Sequence, residues 1–327
     1  MVRAYPPHLL QARFIMGLSS MLIISAKSGQ LGNRLLLFAN FIAVAIEHNL
    51  TVLNPAFEEY AEFFVGTARD FLCCYPPPYF TLPCNKFIRN KYYKLIKYLN
   101  NKKIWKTQEI TREKPFNWVN YQGSDTLKYT STICFQGWLF RDGWFVEDLP
   151  QLQKYAHQIR AYFTPLKKYQ INIDSLILNV KQNADMIVGI HIRQGDYEQH
   201  QKGRYFYKTE QYLEFMTFLV KLFETKQVTF LICSNLDQEP SLFDNFNCVF
   251  AKGHLIEDMY ALAECDYIVG PPSSYTMWAS FYGEKPLYMI RDISQTINLK
   301  DFVHFYEWQG LFNYRDNWSE SFWEWTH

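Results

Sequence analysis

Net charge is the first thing that this sequence lacks. Its 33 Lys and Arg residues against 32 Asp and Glu leave a charge of +1 over 327 residues. That balance argues against a generally basic nucleic-acid binder, although it does not describe the charge of a single pocket. With 14 Gly and 14 Pro, collagen-like and low-complexity classes are excluded. The one membrane-like segment, residues 14–26, is shorter than the roughly 20 apolar residues of a spanning helix.

Metal-ligand spacing is missing as well. The seven cysteines include no pair that is spaced like metal ligands near a histidine cluster, so we expect no zinc site. Cys134 and Cys233 lie inside apolar, strand-like runs, where a free cysteine behaves as a small hydrophobic side chain. We therefore expect a reducing compartment and a cytoplasmic location.

The first half of the chain begins with an α/β pattern. Residues 21–26 are a continuous apolar run that predicts a buried parallel strand. A glycine turn follows, then a helical pattern at 34–48 and a second strand at 51–55. Cleavage of a signal peptide within the apolar run would destroy this unit. We therefore interpret residues 1–20 as an N-terminal extension.

A second α/β unit follows with the run MIVGIHI at 186–192. Further strands are expected at 228–234, 248–250, 266–270 and 286–290. This alternation of strands and helices predicts two Rossmann-like domains, at 21–183 and 184–327. The segment after 300, rich in Trp and Phe, is expected to form a C-terminal helix that returns over the first domain.

The stretch from 56 to 125 has no clean periodicity and is expected to hold variable helices and loops. Within it, residues 91–103 combine lysines with aromatic side chains. This basic stretch has two interpretations: a solvated helix face, or a peripheral contact with a membrane surface or an acidic partner. No spanning segment is expected.

Polar motifs follow the predicted strands, where ligands bind in open α/β sheets. The first is GQLGNR at 29–34, in which Gly32 and Asn33 lie in the turn just before the predicted helix. Glycines let the backbone approach a ligand, and a helix N-terminus favours anions. A plain strand–helix turn explains the same residues.

The second motif is HIRQGDY at 191–197. Strand alternation points His191 and Arg193 to the same face. The fork geometry of an arginine suits phosphate or carboxylate oxygens, and this makes Arg193 the candidate catalytic residue. The alternative is that Arg193 pairs with Asp196 and only holds the loop.

The third motif is GPPSSYTMW at 270–278. Ser273 and Ser274 stand at the start of a predicted helix, where hydroxyl and N–H groups form a phosphate cradle. Simple N-capping by one of these serines is the alternative. Asp258, in the first turn of the preceding predicted helix, is either a ligand for a guanine edge or an acid favoured by the helix dipole.

In this order the motifs resemble those of the α-1,2-fucosyltransferase family of the fucosyltransferase superfamily. GQLGNR is similar to its Gly-Leu-Gly-Asn-Gln loop, HIRQGDY to its His-x-Arg-Arg-Gly-Asp-Tyr hallmark, and PPSSYTMWAS to its late serine segment. FQGWLFRDGWF at 135–145 resembles a drifted middle motif. Gln194 replaces the second arginine of the hallmark, and Arg34 the glutamine of the first loop.

The resemblance implies a glycosyltransferase of the B type, with two Rossmann-like domains facing across a cleft. The first would take the glycan acceptor, and the second the donor GDP-fucose. His191 and Asp258 would meet the guanine, Arg193 the diphosphate with Ser273 and Ser274 nearby, and Gly32 and Asn33 would face the donor from the first domain. No metal is implied, which fits the absence of an Asp-x-Asp motif.

The implied reaction is an inverting transfer in which Arg193 and the helix N-terminus at 273–275 stabilise the leaving diphosphate. The general base is not identified; Glu198 and Asp196 are the weak candidates. Trp138, Trp144 and Tyr205 offer sugar-stacking faces, with core packing as the alternative. Two other functions stay open: a glycosyltransferase with a different nucleotide sugar, and a nucleotide- or carbohydrate-binding protein without catalysis.

Overall fold

Two β-sheets organise the chain, one in each half. The computed structural model of the protein describes residues 21–27, 29–78, 84–110, 132–137, 149–182 and 184–308. Contacts divide the chain into one unit that ends at Leu166 and another that begins at Lys167. The expected boundary near 183 lies one helix further along. The N-terminal extension, Trp138, Trp144 and the segment from 309 lie outside the described residues.

The first unit contains a five-stranded sheet. Its strands are β1 Met21–Ile24, β2 Thr51–Leu53, β3 Cys74–Tyr75, β4 Lys106–Ile110 and β5 Thr132–Gly137, in the order β3-β2-β1-β5-β4. All pairs are parallel except β2–β3. Its helices are α1 Leu31–His48, α2 Lys86–Asn101, α3 Leu149–Lys154 and α4 Ala156–Tyr162. The expected opening of strand, turn, helix and strand is confirmed.

Aromatic rings fill the core of this unit. Phe38 of α1 meets Phe57, Tyr162 and Phe163 edge to face, with centroids 5.5–5.6 Å apart. These distances are typical of the favourable offset and T-shaped arrangements of aromatic pairs. Much of the high aromatic content of the sequence is therefore used for packing.

The second unit contains a fully parallel sheet. Its strands are β6 Met186–Ile192, β7 Val228–Ser234, β8 Cys248–Phe250, β9 Tyr267–Gly270 and β10 Leu287–Met289, in the order β10-β9-β6-β7-β8. Its helices are α5 Lys167–Lys181, α6 Thr209–Leu222, α7 Leu255–Leu262 and α8 Ser274–Gly283. Nearly continuous apolar strands such as β6 are buried on both faces, as parallel sheets require. Two Rossmann-like sheets are thus present, as the sequence predicts.

Candidate functional site

The carboxyl end of β6 is the centre of the polar site in the second unit. This strand lies between β9 and β7, so the segments that follow all three strands leave the sheet side by side. The close approach of β9 is visible at Gly270, where a Cβ would come within 3.0 Å of the His191 Cβ. The second and third sequence motifs are therefore brought together by the sheet.

His191 ends the strand as a buried, neutral side chain. Burial, helped by the nearby Arg193 charge, lowers the pKa of His191 to about 3. Its ring stacks on the Tyr275 ring at 4.8 Å between centroids. Its Nδ1 atom is buried and has no hydrogen-bond partner within the described residues. A neutral ring with an open nitrogen can exchange a hydrogen bond with a polar ligand.

Arg193 emerges from the strand and is largely buried, with its side chain 18% exposed. Its Nη2 donates to Asp196 Oδ2 at 2.6 Å, and the Asp196 carboxylate is 49% exposed. The guanidinium also lies over the Tyr197 ring, 5.4 Å from its centroid. The loop-clamp contact expected as the alternative is therefore present. This contact uses Nη2 of a planar guanidinium group that carries five N–H donors.

Tyr197 connects the arginine loop to the serine loop. Its hydroxyl donates to the backbone oxygen of Pro272 at 2.8 Å, and its side chain is buried. Burial raises the pKa of Tyr197 to about 12, so the phenol keeps its proton. This tyrosine is part of the second motif, but its position there predicts no role for it. Its position four residues after Arg193 in a tight 3₁₀ turn, Gly195–Glu198, turns it toward the serine loop.

Ser273 and Ser274 stand at the start of α8. Ser273 is the N-cap, and its Oγ accepts from the backbone N–H of Tyr275 at 3.1 Å. Ser274 is the first helical residue and is half-buried. Capping thus accounts for Ser273, as the alternative interpretation expected. Ser274 stands in the first turn of α8, at a helix N-terminus that favours an anion.

Asp258 is a buried carboxylate in the first turn of α7. Burial raises the pKa of Asp258 to about 7, an effect that the backbone N–H groups of His254 and Gly253 partly oppose. Its Oδ1 atom has no hydrogen-bond partner among the residues that the structure describes. Burial raises the pKa of Tyr275 well above its usual value. The Asp258 charge also raises it, and the Arg193 charge lowers it. Tyr275 is thus the central side chain of the site, a role that no local sequence pattern predicts.

Gln194 turns away from Arg193 into a network of its own. Its Nε2 donates to the Tyr207 backbone oxygen at 3.0 Å, and its Oε1 accepts from Gln238 Nε2 at 3.0 Å. Its backbone is held by Asn235, which accepts from the Gln194 N–H at 2.8 Å and donates to its oxygen at 3.0 Å. The peptide that follows Arg193 is therefore fixed by the segment after β7.

The two weak base candidates differ in their surroundings. Asp196 is engaged by Arg193, whereas Glu198 is an exposed residue of the same 3₁₀ turn. Tyr205, named as a stacking face, is 5% exposed and so is mostly packed.

The first motif lies in the other unit. Gly32 is buried and Asn33 half-buried at the start of α1, after β1. Next to them, Arg34 Nη1 pairs with Glu59 Oε2 at 2.6 Å, and Arg34 Nε donates to the Gly29 oxygen at 3.0 Å. The arginine that departs from the family loop therefore holds the turn in place.

The described part of the chain offers neither a cluster of metal-ligating side chains nor a membrane-spanning helix. No three His, Cys, Asp or Glu side chains there are grouped as metal ligands. None of the helices described is long and apolar enough to cross a membrane.

Solved structures share this architecture. A FUT1 variant of Arabidopsis thaliana in complex with GDP has a TM-score of 0.54 and 13% identity, over 83% of this chain and 70% of that one. NodZ α-1,6-fucosyltransferase soaked with GDP-fucose has a TM-score of 0.52 and 15% identity, over 88% and 97%. This chain has a fucosyltransferase fold.

NodZ from Bradyrhizobium gives the same result, with a TM-score of 0.51 and 16% identity over 83% of this chain and 95% of its own. No protein-family model matches the sequence, and no curated protein matches it either. The fucosyltransferase fold is thus recognised by structure at a level of identity where sequence comparison fails.

Proposed function

We propose that the protein is a glycosyltransferase that moves fucose from GDP-fucose to a hydroxyl of a glycan acceptor. The observation that carries this is the grouping of Arg193, Asp258 and Ser274 around Tyr275 at one end of a parallel sheet, in a fold shared with fucosyltransferases crystallised with GDP or GDP-fucose. The α-1,2 linkage and the inverting course rest on the motif resemblance alone.

The donor is bound by the second unit in this proposal. The Asp258 carboxylate accepts from the guanine edge, and the neutral His191 meets the same end of the nucleotide. The Arg193 guanidinium, which also bonds to Asp196, binds diphosphate oxygens, while Ser274 and the first turn of α8 bind from the other side. That Gly32 and Asn33 of the first unit contact the donor remains a prediction from the motif resemblance.

The transfer breaks the bond between the anomeric carbon and the diphosphate oxygen. Its electron pair leaves with GDP, and the Arg193 guanidinium and the α8 N-terminus stabilise the charge that develops there. The acceptor oxygen bonds to the opposite face of the sugar and loses its proton to a general base. Glu198 is the better placed of the two candidates, because Asp196 is bonded to Arg193.

Independence from metal ions, the absence of nucleic acid as a partner and a cytoplasmic location remain predictions from the sequence. The same holds for the division into an extension at 1–20, an acceptor domain at 21–183 and a donor domain at 184–327. A peripheral membrane contact is also a prediction, and α2 offers a surface for it.

A donor panel tests the function. Purified protein is heated with GDP-fucose, GDP-mannose, UDP-galactose or a dTDP-sugar, and the melting temperature is recorded. GDP-linked donors should raise it, because a ligand that binds only the folded state stabilises that state. Mass spectrometry of a glycan array incubated with the best donor then identifies the product. A protein that no GDP compound stabilises would contradict the proposal.

A matched pair of variants separates diphosphate binding from loop holding. If Arg193 only clamps the loop, Arg193→Ala and Asp196→Ala should weaken GDP binding equally, because both remove the same ion pair. In the proposed role, Arg193→Ala nearly abolishes transfer and lowers GDP affinity far more than Asp196→Ala. Ser274→Ala should mainly lower GDP affinity, measured by calorimetry.

The hydrogen-bond network at Gln194 favours a second candidate function. A glutamine amide is neutral, and this one is bonded to Gln238 and Tyr207, so the position does not supply the positive charge of the second arginine in the α-1,2-fucosyltransferase motif. A different nucleotide sugar, or binding without catalysis, is compatible with that loss. Donor hydrolysis by the purified protein distinguishes an enzyme from a binding protein.

A further inference from the structure

Helix α2 in the first unit presents a row of apolar side chains to solvent. Phe87, Leu95 and Tyr98 are 66%, 49% and 58% exposed, and Ile104, just after the helix, is 61% exposed. Single exposed apolar residues are ordinary on protein surfaces. Several on one helix, however, are typical of an interaction surface.

Lysines surround these apolar side chains. Between Cys84 and Gln108 the chain carries no Asp or Glu, but it carries Lys86, Lys91, Lys94, Lys97, Lys102, Lys103 and Lys106. The Lys91 Nζ atom lies 4.3 Å from the centroid of the Phe87 ring, and Lys102 Nζ lies 5.7 Å from that of Tyr98. In a chain whose total charge is +1, this is a local concentration of positive charge.

The other side of the helix is anchored to the unit. Arg89, 1% exposed, donates through Nε to the Asp70 oxygen at 3.2 Å and through Nη2 to the Ala68 oxygen. Asn90 Nδ2 donates to Glu58 Oε1 at 3.1 Å. With the inner side fixed in this way, the spacing of 3.6 residues per turn keeps Phe87, Lys91, Lys94 and Tyr98 in line on the outer side.

We propose that this outer side of α2, together with the lysines after it, binds the surface of an anionic lipid bilayer. Lysine ammonium groups match acidic headgroups, and the phenylalanine, leucine and tyrosine side chains enter the boundary between headgroups and acyl chains. A soluble polyanion would use the lysines but leave the apolar side chains without a function. A bilayer uses both, and this is why we favour it. The proposal does not depend on the reaction that the second unit performs.

Vesicle flotation of the full chain tests this surface. Vesicles of phosphatidylcholine are compared with vesicles that also contain phosphatidylglycerol, at low and high salt. Binding should require the anionic lipid and decrease with salt, because screening weakens surface charges. The triple variants Phe87→Ser/Leu95→Ser/Tyr98→Ser and Lys91→Glu/Lys94→Glu/Lys97→Glu should each reduce the bound fraction by about tenfold or more.

The control is Ile171→Ser/Leu178→Ser on α5, which removes apolar side chains of similar exposure, 56% and 66%, from the second unit. It should bind vesicles like the parent protein, and circular dichroism melts establish that all variants fold. Equal binding of the two lipid mixtures, or full binding by the Phe87, Leu95 and Tyr98 variant, would overturn the proposal. Heparin binding that depends on the lysines alone, with no vesicle binding, would indicate an acidic macromolecule and overturn it too.

Discussion

Gln238 donates from its Nε2 to the Oε1 of Gln194 at 3.0 Å, across 44 residues of sequence. The Gln194 amide also donates to the Tyr207 oxygen at 3.0 Å and to Thr209 Oγ1 at 3.3 Å. The residue next to Arg193 is thus fully engaged, and its contacts position the loop on which the proposed chemistry depends.

The first prediction concerns this network. Gln194→Ala should lower the free energy of unfolding by about 1–3 kcal/mol, because half-buried hydrogen-bonding partners lose their counterpart. Urea unfolding measures it. Gln199→Ala, at an exposed position a few residues later, should change it by less than about 0.5 kcal/mol. An equal effect of the two variants would mean that the network does not hold the loop.

Substituting the arginine of the motif that HIRQGDY resembles gives a sharper test of the Gln194 network. Gln194→Arg replaces an acceptor by donors, so Gln238 Nε2 would face another donor. The variant should be at least as unstable as Gln194→Ala. Adding Gln238→Glu, which supplies a carboxylate, should restore much of the loss. Wild-type stability of Gln194→Arg alone would contradict this account.

Tyr197 supports the second prediction. Tyr197→Phe keeps the ring beneath Arg193 but removes the donor to the Pro272 oxygen. We expect a loss of about 1–2 kcal/mol in unfolding free energy and weaker GDP binding, since the serine loop loses its tie to the arginine loop. Tyr205→Phe, a similarly buried tyrosine of the same segment, is the control. Unchanged GDP affinity in Tyr197→Phe would show that the hydrogen bond between the two loops does not contribute to GDP binding.

Arg34 leads to the third prediction. Arg34→Gln introduces the glutamine of the α-1,2-fucosyltransferase loop that this turn resembles, but it removes the ion pair with Glu59 and a donor to the Ala56 oxygen at 3.2 Å. Because Glu59 is 37% exposed, we expect a modest loss of about 1–3 kcal/mol, measured by urea unfolding. Arg69→Gln, at an exposed position, should cost much less. A stable Arg34→Gln protein would mean that the turn does not need this ion pair.

Regular elements were readable from the sequence where apolar patterning is strong. The runs at β1, β6 and β7 predict buried strands, and each is a strand in the sheet. Strand β4, with the sequence Lys-Thr-Gln-Glu-Ile, was not predicted, because an edge strand needs no apolar run.

The site could be predicted only in part from the sequence, because residue type and position relative to a predicted strand depend on nearby residues alone. They indicate Arg193 and Asp258 as candidates. Which partners these side chains meet depends on contacts distant in sequence, such as Tyr275 with His191 and Asn235 with Gln194. No short sequence pattern predicts such pairs.

The last prediction concerns the carboxylate of Asp258. Burial raises its pKa from 3.8 to about 7, so between these values the folded chain keeps a proton that the unfolded chain has released. Stability from this group is therefore fully present below about pH 4 and is lost as the pH rises through about 7. Asp258→Asn removes this dependence. Between about pH 5 and pH 8, the free energy of unfolding of the variant should rise by on the order of 2–4 kcal/mol relative to that of the parent.

The pH dependence of GDP affinity is a second measure of Asp258. As the pH rises, GDP affinity should increase, whereas stability decreases. A guanine edge donates hydrogen bonds, so it needs the ionised carboxylate, and GDP affinity should rise as the pH increases through about 7. His191 cannot produce this change, because with a pKa of about 3 it is neutral on both sides of the transition. Asp258→Asn should flatten the profile measured by calorimetry. A parent profile without an inflection near neutral pH, or one that the variant reproduces, would remove Asp258 from the nucleotide site.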